Sequence, residues 1–197
     1  MIYYIAYFGA KFLSFLFFPR TIYGLDDVPS QGAFILASNH ISNLDPAILG
    51  ISSRRRLNYL AKDSLFKNKF LGFCLYRLRA FPVKRETPDP GALRQALLRL
   101  KKGQPLILFP EGTRKVEDQK TQAGVGFLAL KSGVPIVPVF ICGSDRSLPP
   151  GAKFFKRAPV QIYYGKPFVV DGNQTYQDAA GQIMNRIRSL NPAPAKL

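Results

Sequence analysis

One histidine, His40, occurs in the 197 residues, within the run Asn39-His40-Ile41-Ser42-Asn43-Leu44-Asp45. An imidazole exchanges a proton near neutral pH, so it can take one from an alcohol if one ring nitrogen is free and the other is held. Asp45, across a tight turn, can accept from that second nitrogen, fixing the tautomer and stabilising the imidazolium that forms. Both residues also have plainer uses: His40 as a satisfied loop histidine, Asp45 as the N-cap of a helix opened by Pro46. A lone histidine excludes a multi-histidine metal site, so no metal is expected. Cys74 and Cys142 lie in no metal-type spacing and imply no disulfide framework, which points to a reducing compartment.

Three further clusters carry polar chemistry. Phe109-Pro110-Glu111-Gly112-Thr113-Arg114 offers a carboxylate, a glycine that lets backbone approach a ligand, a hydroxyl and a guanidinium fork suited to phosphate. Taken alone, it is also a polar turn. Phe81-Pro82-Val83-Lys84-Arg85 ends an apolar run in two cations, which would serve equally as a solvated strand end. Val134-Pro135-Ile136-Val137-Pro138-Val139 places two prolines in a strand-like run, implying an edge or bulged strand, or one shaped to line a groove.

The elements that must position these groups alternate. Strands are expected at 33–38, 57–61, 80–83, 105–109, 136–141 and 160–164, and helices at 46–53, 63–77, 90–102, 123–131 and 176–190. Asp89-Pro90 reads as an N-cap with proline at the first helical position, and Gly103 closes that helix. Near-continuous apolar strands alternating with helices indicate a single α/β domain, its mixed and largely parallel sheet flanked by helices. Loops at carboxyl ends of such strands are where open sheets hold reactive groups, and both the His40 and the Glu111 runs follow strands.

Residues 1–22 are expected as a membrane-interface helix, 23–190 as the catalytic domain and 191–197 as a tail. The segment MIYYIAYFGAKFLSFLFF is aromatic and apolar, but Lys11 interrupts it, and no positive charge precedes it as in a cleaved presequence. It suits a helix lying in the headgroup boundary, or one packed on the domain's own core. Lys+Arg outnumber Asp+Glu 28 to 12, a net +16 that calls for an anionic partner. Much of this charge falls between residues 51 and 85, where 63–76 mixes Lys with Leu and Phe, as either a membrane-facing surface or a solvated helix face would.

The NHxxxxD run, the basic FPVKR element, FPEGTR and VPIVPV occur in an order and spacing that resemble the 1-acyl-sn-glycerol-3-phosphate (lysophosphatidic acid) acyltransferase family, from about Gly24 to about Gly165. The resemblance implies an α/β enzyme at a membrane surface that moves an acyl group from a thioester to a lysophospholipid hydroxyl. It assigns His40 as general base and Asp45 as its orienting acid. Asn39, Lys84, Arg85, Glu111, Gly112, Thr113 and Arg114 are expected to bind substrate, the second and third motifs on the glycerol-phosphate portion. Arg79 stands where the second motif often has glycine. The implied product is phosphatidic acid. The implied partners are lysophosphatidic acid, an acyl-CoA or acyl carrier protein co-substrate with no further cofactor, and an anionic phospholipid membrane. The implied location is peripheral or monotopic, on the cytoplasmic face of the inner or plasma membrane. Another lysophospholipid or a lyso-aminolipid is the alternative acceptor. A basic nucleic-acid-binding module would fit the charge, but it leaves the aromatic N-terminus and the paired motifs without a use, so no nucleic acid is expected.

Overall fold

The computed structural model describes Tyr4, Ile5, Phe8, Gly9, Phe12, Phe154 and residues 16–84, 89–111, 123–148 and 156–192. Seven strands form one sheet: β1 (Arg20–Tyr23), β2 (Ile35–Ser38), β3 (Asn58–Lys62), β4 (Ala80–Val83), β5 (Leu106–Leu108), β6 (Ile136–Cys142) and β7 (Val160–Tyr164). Their order is β1-β7-β6-β2-β5-β3-β4, and every neighbouring pair is parallel except β6 with β7. Among the described residues from β1 onward, the helices are α1 (Asp45–Ser52), α2 (Lys69–Arg77), α3 (Pro90–Lys101), α4 (Ala123–Ser132), the single turn α5 (Ser144–Ser147) and α6 (Tyr176–Arg188).

β2, at the centre, is buried on both faces, so it reads Ile-Leu-Ala-Ser without alternation. Right-handed crossovers then divide the helices. Moving outward from β2 to β3 and on to β4 puts α1 and α2 on one face. Returning from β4 to β5, and from β5 to β6, puts α3 and α4 on the other. The two cores agree: Ile48 and Leu49 of α1 pack with Leu36, Ile107 and Val139, whereas Ala96, Leu128 and Ile183 pack with Ile35, Leu106 and Ile136. Each such Leu or Ile, buried completely, contributes about 2 kcal/mol. In the second core α4 meets α6 closely at Gly126, where a Cβ would strike the Tyr176 carbonyl.

Four sequence expectations are corrected here. Residues 20–22, expected to end the N-terminal helix, belong to β1, a short edge strand whose Thr21 and Tyr23 face solvent. The helix expected over 63–77 is broken into a 3₁₀ turn (Asp63–Phe66) and α2, because the Asn68 side chain caps the Leu71 amide at 3.0 Å and starts a new helix. α5 follows β6 where no element was expected. The two-proline strand is no edge. β6 lies inside the sheet, and the irregularity is taken by its neighbour. Val139 faces Tyr164 and Ile136 faces Phe168, so the two residues between them on β6 are matched by three opposite. The extra residue falls beside Pro138, the position with no N–H to offer.

Asp89 does cap α3, accepting from Ala92 at 2.9 Å, and Gly103 ends the helix at φ 72°. Residues 193–197 of the expected tail lie outside the described residues. Among the described residues no helix is long and apolar enough to cross a membrane.

Candidate active site

β2 and β5 are neighbours, yet the chain leaves them for opposite faces, into α1 and toward α4. Their carboxyl ends therefore open the crevice in which such sheets bind ligands. His40 follows β2 and Glu111 follows β5, and the two segments are joined: the His40 backbone N–H donates to Glu111 Oε2 at 3.1 Å.

The His40 ring is buried and fixed on two sides. Its Nδ1 lies 2.9 Å from Asp45 Oδ2, and its face stacks on Phe109 with centroids 4.1 Å apart. Nothing among the described residues hydrogen-bonds to Nε2. Asp45 is wholly buried, and its carboxylate takes four donors. Oδ2 accepts from His40 Nδ1 and from the backbone N–H groups of Ile41 and Ser42 at 2.8 and 2.7 Å. Oδ1 accepts from Ser144 Oγ at 2.6 Å. The cap of α1 is Leu44, without a side-chain bond, and Asp45 is the first helical residue. The plainer use of Asp45 thus gives way: its side chain turns back over the loop it closes, and there it holds the imidazole.

Ser144 was not anticipated. It stands ninety-nine residues from Asp45, and its signal was indirect: Gly143 follows a strand and takes φ 86°, where a Cβ would strike the Pro159 carbonyl. That turn carries Ser144 back under the His40 loop. Asn39, expected to touch substrate, is a strut. Its amide accepts from the Ile141 N–H at 2.8 Å and donates to the Ile141 carbonyl at 2.9 Å, pinning the end of β2 to β6.

Lys84 directly follows β4, and its backbone N–H donates to Asp89 Oδ2 at 2.9 Å. β4 lies three strands from β2, about 14 Å along the same edge, so Lys84 is a remote member of the site. Arg85, Gly112, Thr113 and Arg114 lie outside the described residues. Arg188, at the end of α6, lies close enough for its charge to act on Glu111.

Burial pushes the Glu111 carboxyl above its ordinary value, with the His40 N–H and nearby Arg188 charge pulling the other way. A carboxyl raised in the fold holds its proton longer there than in the unfolded chain. Stability therefore falls as pH rises from the ordinary glutamate range to the raised value. Glu111→Gln, which keeps the acceptor for the His40 amide, should flatten that fall in urea midpoints taken across mildly acidic to neutral pH. A slope equal to wild type would show that Glu111 titrates alike in both states.

Comparison with known proteins follows the same lines. Residues 19–142 match the Acyltransferase family. The 1-acyl-sn-glycerol-3-phosphate acyltransferase of Bacillus subtilis is 31% identical over 147 residues, 74% of this chain and 72% of that one. The chloroplastic 1-acyl-sn-glycerol-3-phosphate acyltransferase of Brassica napus is 28% identical over 170 residues, 83% of this chain but 49% of its own length. Among solved structures, the 1-acyl-sn-glycerophosphate (LPA) acyltransferase PlsC from Thermotoga maritima superposes with a TM-score of 0.74 at 27% identity, covering all of this chain and 80% of that one.

Proposed function

This chain belongs to the acyltransferase family, and we propose that it transfers a fatty acyl group from a thioester to the free hydroxyl of lysophosphatidic acid, giving phosphatidic acid. The observation that carries the reading is the His40 ring, held at Nδ1 by Asp45 at 2.9 Å with no described partner at Nε2. The relatives' names supply the acceptor class.

In the reaction, Nε2 takes the proton of the acceptor hydroxyl as its oxygen attacks the thioester carbonyl carbon. The resulting imidazolium is stabilised by the Asp45 carboxylate. The tetrahedral intermediate collapses with cleavage of the C–S bond, and the departing thiolate takes the proton back from Nε2. Transfer is direct. Burial pushes the Cys142 thiol up, away from the thiolate a nucleophile needs.

Arg85 and Arg114 grip the acceptor phosphate, with Lys84 at the far end of the same edge. Holding the acceptor there makes proton removal and attack effectively intramolecular. The aromatic N-terminal segment, with Tyr4, Ile5, Phe8 and Phe12 exposed, keeps the site at the cytoplasmic face of a bilayer, where acceptor and product reside.

The test is an acyl-transfer assay crossing acyl-CoA and acyl carrier protein donors with lysophosphatidic acid, lysophosphatidylglycerol and a lyso-aminolipid. Lysophosphatidic acid should be the preferred acceptor with at least one donor. Arg85→Ala should raise its KM about tenfold or more, as expected from losing a charged hydrogen bond, while the donor KM stays near wild type. Preference for a different acceptor, or an unchanged acceptor KM, would overturn the assignment.

A further inference from the structure

The edge of the sheet opposite His40 carries a second concave site. A cavity of about 380 Å³ opens where β3, β4 and β5 begin, lined by Asn58, Tyr76, Arg79, Arg99, Lys102 and Gln104 among others. Among the described residues no acidic side chain lines it. β3 alone has five residues, so the cavity lies about 17 Å from the catalytic edge. Arg99 is committed, bonded to Gln95 and lying over the Phe81 ring. Arg79 and Lys102 have no ion-pair partner among the described residues.

Arg79 is also the one non-glycine residue with positive φ among the described residues, at 65°. The conformation is fixed from both sides: its N–H donates to the Tyr76 carbonyl at 3.0 Å and its own carbonyl accepts from the Tyr59 N–H at 3.2 Å. A left-handed backbone costs an arginine about 1 kcal/mol that glycine would not incur. An arginine kept there points to a use for its guanidinium.

Beside the cavity stands α2, of which only Gly72 is buried. Phe70, Phe73 and Tyr76, spaced by three, lie along one side of it, and Phe70 is 79% exposed. Leu65 and Leu71 extend the apolar surface, and exposed Lys67, Lys69 and Arg77 rim it. Tyr76 belongs to both features, ending the aromatic row and lining the cationic cavity. An apolar row rimmed by Lys and Arg, leading into a cavity with unpaired cations, matches hydrocarbon below and phosphate above at a bilayer surface.

We propose that α2 inserts its aromatic side into the interface of an anionic bilayer while the Arg79–Lys102 cavity holds the phosphate of one anionic phospholipid, a binding site separate from catalysis. The N-terminal segment and α2 then meet the membrane at two places. The site is one of binding and stands or falls independently of acyl transfer.

Flotation of the full chain with vesicles tests it, comparing phosphatidylcholine alone with its equimolar mixture with phosphatidylglycerol. Arg79→Gly/Lys102→Gln uses a glycine that suits the backbone at 79, with circular dichroism to check folding. It should weaken binding to the mixed vesicles on the order of tenfold and leave binding to phosphatidylcholine unchanged. Phe70→Ser/Phe73→Ser should weaken binding to both vesicles. Mixed-vesicle binding equal to wild type in the first variant overturns the phosphate site. Thermal stabilisation by inorganic phosphate that the first variant loses, with vesicle binding intact, assigns the cavity to a soluble phosphate and overturns the lipid. A change in sedimentation rather than flotation in the second variant assigns α2 to a second copy of the chain and overturns the membrane contact. His40→Ala, floated alongside, should bind as wild type even if acyl transfer proves to be the wrong reaction.

Discussion

His40→Ala should lower acyl transfer by about a thousandfold or more while the protein still folds. A positioned base contributes on the order of 10²–10⁴ in rate, and nothing else described at the crevice can replace it. Glu111 accepts from the His40 main chain, and Asp45 already has four donors. The loss of the ring removes its stacking on Phe109 and one bond to Asp45. Asp45 keeps Ile41, Ser42 and Ser144, so the buried charge is not stranded. The stability cost should stay near about 2 kcal/mol, visible as a few degrees in the thermal midpoint. Single-turnover measurement on the folded variant checks the rate. A variant retaining a tenth of wild-type turnover would exclude His40 as the base.

How much of this was legible depends on range in the sequence. The His40–Asp45 pair could be read because both residues lie in one loop, and because Pro46 announces the helix that closes it. The carboxyl edge could be read because the apolar runs at 33–38 and 105–109 each end just before a polar cluster. Ser144 could not, since its contact spans ninety-nine residues and depends on which strand lies beside β2. For the same reason Asn39 was read as a ligand: the sequence holds no trace that Ile141 would occupy its amide. The prolines of β6 were misleading in a different way. Proline restrains only its own N–H, and a neighbouring strand can bulge to suit it, so an interior place in the sheet stayed open. Arg79 was visible only as a departure from a glycine pattern, and its meaning needed the φ of 65°.

Asp45→Asn should lower kcat by about 10³ with the acceptor KM within about threefold of wild type, and it should do so in a folded protein. The amide oxygen can replace Oδ2, keeping bonds from Ile41 and Ser42 and still accepting from Nδ1. The amide nitrogen then faces Ser144, whose hydroxyl can rotate to accept instead of donate. What cannot be replaced is the negative charge beside the imidazolium. That charge matters only once His40 has taken the proton, so its loss falls on kcat rather than on ground-state binding. Asp45→Ala separates the two roles. It leaves the Ile41 and Ser42 N–H groups and the Ser144 hydroxyl buried without an acceptor, at about 1–3 kcal/mol each, so it should melt far below the asparagine variant. If Asp45→Asn retained more than a tenth of wild-type kcat, the carboxylate would be a loop brace alone. If the alanine variant melted with it, the four donors would not be what holds the loop. The difference between the two variants thus measures how much of this buried carboxylate serves the fold and how much the reaction.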